Sequence, residues 1–128
     1  VVARAMAMTL GRGADVFAPR GAQAALVSIR PGMGYDFAIP TKIFAAVSSG
    51  TPVVYAGVGA ARDLIRAKGL GWDADYDVAA IAEAMRAAVA TPVTRERRVQ
   101  LATWARSEAS LSAAASRAAD AIEAALTN

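Results

Sequence analysis

The feature that most constrains how this chain can fold is the stretch 29–59, where two short apolar segments each run into a glycine-containing loop. Ala25–Ile29 leads into the loop Pro31–Gly34, and Pro52–Tyr55 leads into the turn Gly57–Gly59. Short apolar runs bounded by glycine and proline are typical of buried strands in a parallel sheet. We therefore predict two strands whose carboxyl ends both open into glycine loops.

A helix is predicted between these two strands. Pro40 stands where it begins and Gly50 where it ends, and proline at the first helical position with glycine just past the last is the usual order. Ile43, Phe44 and Val47 give this helix one apolar face. Strand, loop, helix and strand form a βαβ unit, and parallel sheets bind their ligands outside the carboxyl ends of the strands.

Lys42 lies in the first turn of this helix, where the helix dipole makes a cation unfavourable by roughly 0.3–1 kcal/mol. Two interpretations remain open. The lysine extends into solvent as an ordinary surface residue, or an anion such as phosphate occupies the helix N-terminus beside the glycine loop.

Composition restricts the chemistry that this chain can perform. It has 128 residues, of which 55% are hydrophobic, so we expect a single domain, 1–128, with its own core. It contains no cysteine and no histidine. These absences exclude disulfides, zinc–thiolate sites and cysteine nucleophiles, and they remove the commonest general base.

The net charge is +3, and the basic residues are dispersed except at Arg95, Arg97 and Arg98. No aromatic residues alternate with this cluster, so we interpret it as a solvated helix face and expect no nucleic-acid partner. No apolar run has the length of a membrane span and no signal peptide is present, so a cytoplasmic location is expected. The chain begins with Val1-Val2 rather than methionine, and we expect it to be a fragment or a processed form.

Outside the central unit, Val1–Ala7 is a candidate strand and Ala14–Ala22 a short or poor helix, because Pro19 interrupts it. The later elements are predicted as a helix over Ala60–Lys68, a strand over Gly69–Trp72, a helix ending at Val89, a helix over Thr94–Arg106 and a helix from about Glu108 to Leu126. Asp73, Asp75 and Asp77 are candidate N-caps for the helix ending at Val89.

Apolar side chains recur at helical spacing in these segments, which predicts their buried faces. The sets are Leu64 and Ile65; Val78, Ile81, Met85 and Val89; Leu101 and Trp104; and Leu111, Ala115, Ala118, Ile122 and Leu126. The core of the sheet is predicted to contain Leu26, Val27, Val53 and Val54.

The run IPTKIFAAVSSGTPVVYAGVG, residues 39–59, resembles the C-terminal half of glycosyltransferases with two facing Rossmann-like domains, the GT-B fold, and it is most similar to glycosyltransferase family 4. That family carries P-[ST]-K-x-[FL]-E-x-x-A-x-G-x-P-V-[VI] followed by a glycine turn. The matching positions are Pro40, Thr41, Lys42, Phe44, Gly50, Pro52, Val53 and Val54. Residues 69–72 and 75–89 are similar to the strand and helix that follow in the family.

The resemblance implies an α/β fold, a Rossmann-like parallel sheet flanked by helices, truncated at its N-terminus. Residues 1–90 would bind the nucleotide-sugar, and residues 91–128 would form a tail of C-terminal helices. The implied partners are a nucleotide-sugar donor and an N-terminal acceptor-binding domain or partner chain that these residues lack. That missing half could place the protein at the inner face of a membrane. The family implies no cofactor and no metal held by this half.

The resemblance also implies which residues form the site. The diphosphate and sugar would contact Asp36, Phe37, Ala38, Ile39, Pro40, Thr41 and Lys42, while Met8, Thr9, Leu10, Gly11, Arg30, Pro31, Gly57 and Gly59 would flank the base and the cleft. Backbone N–H groups and the helix dipole would stabilise the diphosphate leaving group. No catalytic residue is assigned.

Two positions depart from the family. The glutamate that holds the ribose hydroxyls is replaced by Ala45, and the glutamate that contacts the donor sugar is replaced by Phe37. Neither side chain accepts a hydrogen bond, and Asp36 could substitute for the second contact only. An alternative hypothesis is therefore a degenerate nucleotide-binding or partner module without transferase activity.

Three further expectations concern the glycines, an unrelated nucleotide-binding fold and the activity of the chain alone. The glycines can also be read as purely structural turns of an α/β sheet. An unrelated Rossmann-like nucleotide binder is disfavoured, because no G-x-G-x-x-G follows the first strand. Even as part of a transferase, the 128 residues alone should be inactive, since both walls of a two-domain cleft position acceptor against donor.

Overall fold

The structure is a computed structural model that describes residues 21–127 and the short strand β1 (Met6–Ala7). The predictions for the loop Met8–Gly13 and for most of the helix Ala14–Ala22 lie outside these residues. Three further strands follow, which are β2 (Ala25–Ser28), β3 (Val53–Ala56) and β4 (Gly71–Ala74). The sheet order is β1-β2-β3-β4, and all neighbouring pairs are parallel.

Within residues 21–127, five helices connect and follow these strands. They are α1 (Thr41–Ser48), α2 (Ala60–Lys68), α3 (Val78–Ala90), α4 (Arg95–Glu108) and α5 (Leu111–Leu126). The predicted α/β class, with a parallel sheet, flanking helices and a helical C-terminal part, is confirmed. No helix within the described residues is long and apolar enough to cross a membrane.

The β3 strand lies between two layers of helices, one on each face of the sheet, and all four of its residues are buried. Val53 and Tyr55 point to one face, where they pack with residues of α1, α2 and α4. Val54 points to the other face, where it packs with Ala84 and Ala88 of α3. An apolar run without alternation is therefore needed in β3, because both faces of the strand are covered. Of the predicted sheet core, Val27, Val53 and Val54 are buried, and Leu26 is half-buried.

The α4 helix packs against α1 on the first of these faces. Leu101 is buried in the shared core, and the Trp104 ring stacks on Phe44 with centroids 6.4 Å apart and planes 15° apart. The predicted apolar face of α4 is thus confirmed, as is that of α1, in which Ile43 and Val47 are fully buried.

The arginine cluster at the start of α4 is not only a solvated face, which corrects the sequence interpretation. Arg98 donates to the carbonyl oxygens of Gly50 at 3.2 Å and Ala22 at 3.0 Å, and Arg97 donates to the carbonyl oxygen of Gly69. Two of these carbonyls belong to the glycines that end α1 and α2. The arginines therefore satisfy acceptors that helix ends leave without intrahelical partners.

The predicted buried face of α3 is partly wrong. In α3 the residues that pack on the sheet are Ile81, Ala84, Met85 and Ala88, whereas Val78 is 83% exposed. Val78 is the first helical residue and lies before the segment that covers the sheet. Val89 falls outside the packed set as well and is 44% exposed.

In α5 the predicted stripe is exposed, with Leu111 at 88%, Ile122 at 62% and Leu126 at 81%. Its periodicity is real, but among the described elements α5 contacts only α4, and no residue of α5 is buried.

Element boundaries shift by a few residues. Pro40 is the N-cap of α1 rather than its first helical residue. The β4 strand begins at Gly71, two residues after the predicted start, because Gly69 adopts a left-handed conformation with φ of 58° that ends α2. The last helix begins at Leu111 rather than near Glu108, because the Ser110 side chain accepts from the Ala113 N–H and caps it there.

Gly69 and Gly71 allow a matched test of backbone packing. Both have positive φ, but a Cβ at Gly69 would meet nothing within 4 Å, whereas a Cβ at Gly71 would overlap the Val53 carbonyl oxygen in the neighbouring strand. Gly69→Ala should lower the free energy of unfolding by roughly 1–2 kcal/mol, the cost of a left-handed alanine. Gly71→Ala should lower it by more than about 3 kcal/mol. Denaturant unfolding measures both, and equal losses would contradict the β3–β4 register.

Candidate ligand site at the carboxyl edge of the sheet

The carboxyl ends of β2, β3 and β4 open on one edge of the sheet, which we call the carboxyl edge. The loop 29–40 follows β2, the turn 57–59 follows β3, and residues 75–77 follow β4. The strands are parallel and in register, from Ala25 paired with Val53 to Val53 paired with Gly71. Consequently the helices α1, α2 and α3 all begin at this edge.

The structure brings most of the predicted site residues to the carboxyl edge. They are Arg30 and Pro31, the run Asp36, Phe37, Ala38, Ile39, Pro40, Thr41 and Lys42, and the glycines Gly57 and Gly59. Met8, Thr9, Leu10 and Gly11 lie outside the described residues.

The two predicted cleft glycines are needed for the contact between the loop 29–40 and the turn 57–59. A Cβ at Gly59, where φ is 76°, would overlap the carbonyl oxygen of Asp36. A Cβ at Gly57 would lie 3.0 Å from the carbonyl oxygen of Ile29 and 2.7 Å from the Tyr55 hydroxyl. The structural interpretation of these glycines is therefore supported, since they let two backbones approach closely.

The Asp36 carboxylate holds the loop 29–40 in shape. Both of its oxygens accept from the Gly32 N–H at 3.2 Å, and the Ala38 N–H donates to the Tyr35 carbonyl oxygen at 2.9 Å. Asp36, which the sequence offered as a substitute contact for the donor sugar, thus already has a partner within its own loop.

Tyr55 is a residue of this edge that the sequence analysis did not single out. Its ring is fully buried at the end of β3, and its hydroxyl donates to the Val58 carbonyl oxygen at 3.3 Å. Burial raises the pKa of this hydroxyl, the nearby Asp36 carboxylate raises it further, and Arg62 acts in the opposite direction. Because Tyr55 sits within an apolar run, its sequence context suggested only a core residue.

The N-termini of α1 and α2 have no side-chain cap among the described residues, with Pro40 and Gly59 at their N-cap positions. By contrast, α3 is capped by Asp77, which accepts from the Ala80 N–H at 3.0 Å. First-turn N–H groups without a cap, together with the positive end of the dipole, favour an anion. The two uncapped helices follow the neighbouring strands β2 and β3, so their N-termini open on the same edge.

The loop 29–40 presents large apolar side chains to solvent. The exposed fractions are 59% for Met33, 63% for Tyr35, 78% for Phe37 and 37% for Ile39. Single exposed apolar residues are ordinary, but four within seven positions of one loop form a patch of the kind that marks a binding surface. The patch lies directly before the uncapped N-terminus of α1.

Ala45, at the position of the family's ribose-binding glutamate, lies one turn further along α1. It lines a groove between α1 and α4, together with Ser48 and Arg98. The structure therefore separates Ala45 from the loop 29–40 by the first turn of the helix.

A network of charged residues lies next to the turn 57–59 and was missed by the sequence analysis. Guanidinium nitrogens of Arg62 lie 2.7 Å from a carboxylate oxygen of Asp73 and 2.7 Å from one of Asp75. A guanidinium nitrogen of Arg66 lies 2.7 Å from a carboxylate oxygen of Asp73. Asp73 and Asp75 are therefore ion-pair partners rather than N-caps, because Asp73 belongs to β4 and Asp77 caps α3. The available signal was the spacing of Arg62 and Arg66 by four residues, which places both on one face of α2.

Of the acidic residues at the end of β4, Asp73 and Asp75 thus pair with arginines, and Asp77 caps α3. Within residues 21–127, no group of three or more histidine, cysteine, aspartate or glutamate side chains could hold a metal ion.

The chain matches no protein-family model, no curated protein and no solved structure. Its function is therefore inferred from its own residues and from the geometry of the carboxyl edge.

The Asp73 network predicts how stability depends on pH. The hydrogen bond from Arg66, aided by that from Arg62, holds the pKa of the Asp73 carboxyl below its ordinary value. Its stabilisation is therefore complete above the unfolded-state pKa of about 3.9 and is lost as the pH falls through the lower folded-state pKa. Asp73→Asn should lower the free energy of unfolding at pH 7 by roughly 1–2 kcal/mol. As the pH falls, the free energy of unfolding of this variant should decrease less than that of the wild type.

Denaturant unfolding at neutral pH and near pH 3 measures both effects. Asp120→Asn is the control, because Asp120 is exposed on α5 and has no ion pair with any residue of 21–127. Parallel pH profiles for the wild type and Asp73→Asn would contradict the assignment.

Proposed function

We propose that this chain is the donor-binding part of a glycosyltransferase that moves a sugar from a nucleotide-sugar to an acceptor. The observation that carries the proposal is the uncapped N-terminus of α1, which lies beside a glycine turn at the carboxyl edge of a parallel sheet. This arrangement is a general solution for binding phosphate. The resemblance of residues 39–59 to the GT-B family adds the substrate class, a nucleoside diphosphate that carries a sugar.

In this proposal the diphosphate contacts the backbone N–H groups of Thr41 and Lys42. Lys42, which is half-buried as a residue and has no ion pair with any residue of 21–127, adds a positive charge. Charge develops on the diphosphate as the bond to the sugar breaks, and preorganised donors stabilise it without reorganising. The role of this half in catalysis is therefore electrostatic, and it needs no histidine.

The exposed apolar loop is the surface against which an acceptor-binding half would close. Tyr35 and Phe37 project beside the α1 N-terminus, where a second domain would exclude water from the diphosphate. Closure of this kind strengthens electrostatic interactions inside a site. Both walls are required for transfer, so the isolated chain would bind donor without transferring sugar.

A second candidate function is a nucleotide-binding or partner module without transferase activity. It is favoured by the absence of a hydrogen-bonding side chain at Ala45 and Phe37, and by the engagement of Asp36 with Gly32. In that case diphosphate contacts persist while ribose and sugar contacts are missing. Supplying the acceptor-binding half distinguishes the two candidates, because only the first gains transferase activity.

The phosphate contact is tested by removing the lysine at the helix N-terminus. Lys42→Ala should weaken the binding of uridine and guanosine diphosphates by about fivefold, equally for ribose and 2′,3′-dideoxyribose forms, because Lys42 contacts phosphate only. Lys68→Ala is the matched control, since Lys68 is exposed at the C-terminal end of α2. Calorimetric titration measures the affinities. An equal loss with Lys68→Ala, or no binding by the wild type, would overturn the proposal.

The ribose contact is tested by restoring the acidic side chain. Ala45→Glu should tighten the binding of ribonucleoside diphosphates by about tenfold or more, the effect of one charge-assisted hydrogen bond, and leave dideoxy forms unchanged. Ser48→Glu is the matched control, because Ser48 lies one turn later on the same groove and gains the same charge. Equal gains for ribose and dideoxy ligands, or for both variants, would contradict the ribose assignment of Ala45.

A further inference from the structure

A concave surface lies away from the loop 29–40, in the α1–α4 groove. It has a volume of about 500 Å³, and its lining includes Ser48, Ser49, Arg95, Arg98 and Arg106. This volume is within the range of small-ligand sites. The serines belong to the end of α1 that precedes β3, so the groove extends towards the edge of the sheet opposite the carboxyl edge.

The three arginines lie along one face of α4. Arg98 follows Arg95 by three residues and Arg106 follows Arg98 by eight, spacings that return to the same side of a helix. Arg95 and Arg106 are separated by about 16 Å along the helix axis, at 1.5 Å per residue. The positive charge therefore forms a stripe along the groove rather than a single point.

No carboxylate of the described chain balances this stripe. The ion pairs within residues 21–127 use Arg62, Arg66 and Arg86, and none of them involves a groove arginine. The lining of the groove contains no acidic residue. Arg95 and Arg98 also lie in the first turn of α4, where the helix dipole adds to the positive potential.

One of the arginines is held in place by the fold. Arg98 donates to the Gly50 and Ala22 carbonyl oxygens, and Gly50 lies so close that a Cβ there would be 2.9 Å from the Arg98 Cβ. Because these carbonyl oxygens carry no net charge, they fix the position of the Arg98 guanidinium without neutralising its positive charge. Small residues such as Ala45 and Ala102 leave room beside it for a bulky anion.

We infer that the α1–α4 groove binds a ligand through more than one phosphate group, presented by a small polyphosphate or by adjacent lipid headgroups. Guanidinium groups match the oxygens of phosphate with paired hydrogen bonds, and the Ser48 hydroxyl supplies a further donor. Because the stripe is longer than a single phosphate group, a ligand that occupies it would carry more than one anionic group. The groove shares Ala45 with the ribose position of the proposed donor site, but its arginines lie on α4, away from the carboxyl edge and from the proposed diphosphate contacts at Thr41 and Lys42.

The test uses the full chain carrying Lys42→Ala, which removes the cation of the proposed donor site, so a failure of the proposed function leaves the result unchanged. In this background Arg95→Gln/Arg106→Gln removes two exposed groove charges and leaves Arg98, which has a structural role, intact. The matched control is Lys68→Gln/Arg117→Gln, which removes two exposed charges from α2 and α5 that have no ion pair with any residue of 21–127. Pyrophosphate is titrated at constant ionic strength and followed by calorimetry and by amide chemical shifts.

The expected result is that pyrophosphate shifts the amides of Ser48, Ser49 and Ala102, that the groove variant weakens binding by about tenfold or more, and that the control variant does not. Phosphatidylglycerol vesicles, compared with phosphatidylcholine vesicles, identify the source of the phosphate. Binding of phosphatidylglycerol vesicles that is lost in the groove variant supports lipid headgroups, and pyrophosphate binding without vesicle binding supports a free polyphosphate.

Three results would overturn the inference. The first is that neither pyrophosphate nor phosphatidylglycerol vesicles bind. The second is an equal loss of affinity in the groove and control variants, which would mean that only net charge matters. The third is that citrate binds as tightly as pyrophosphate, which would remove the assignment of the groove to phosphate.

Discussion

The rest of this structure depends on the burial of β3 between two layers of helices. Val53 and Tyr55 pack on one side and Val54 on the other, so water cannot satisfy the backbone groups of the strand, and both of its edges pair with neighbouring strands, which are parallel here. The approach of β4 is so close that Gly71 has no room for a side chain against Val53. Once these pairings are fixed, the loops after β2, β3 and β4 are forced to one edge, and the candidate site is a consequence of the sheet.

The polar contacts at the carboxyl edge hold the loops in position rather than provide catalytic groups. Asp36 binds the N–H of Gly32 within its own loop, and Gly59 lets the next turn approach the Asp36 carbonyl oxygen. The Arg62 network fixes the end of β4 in the same way. What these contacts leave available is backbone, namely the N–H groups of Thr41 and Lys42 in α1 and the first N–H groups of α2, whereas the Ile43 N–H donates to the Pro40 carbonyl oxygen. A site built from backbone donors and one lysine suits the binding of an anion better than proton transfer.

Four arginines of residues 21–127 fall into two groups according to the acceptors that they contact. Arg62 and Arg66 are paired with carboxylates, and Arg97 and Arg98 donate to carbonyl oxygens near helix ends. A carboxylate partner cancels the charge, whereas a carbonyl partner fixes the geometry and leaves the charge in place. The uncompensated charge of Arg98, next to Arg95 and Arg106, is therefore the physical basis for an anionic ligand in the α1–α4 groove.

The sequence by itself determined the βαβ unit, the parallel pairing of its strands and the faces of α1, α2 and α4, because apolar runs, prolines and glycines act locally and their effects are short in range. It also located the glycines and Lys42 at the carboxyl edge. The tertiary structure alone decided the rest. That Asp73 pairs with arginines while Asp77 caps α3, that Arg98 reaches the end of α1, and that the apolar stripe of α5 stays exposed all depend on which elements become neighbours. Periodicity shows that a helix has an apolar face, but only packing shows whether another element covers it.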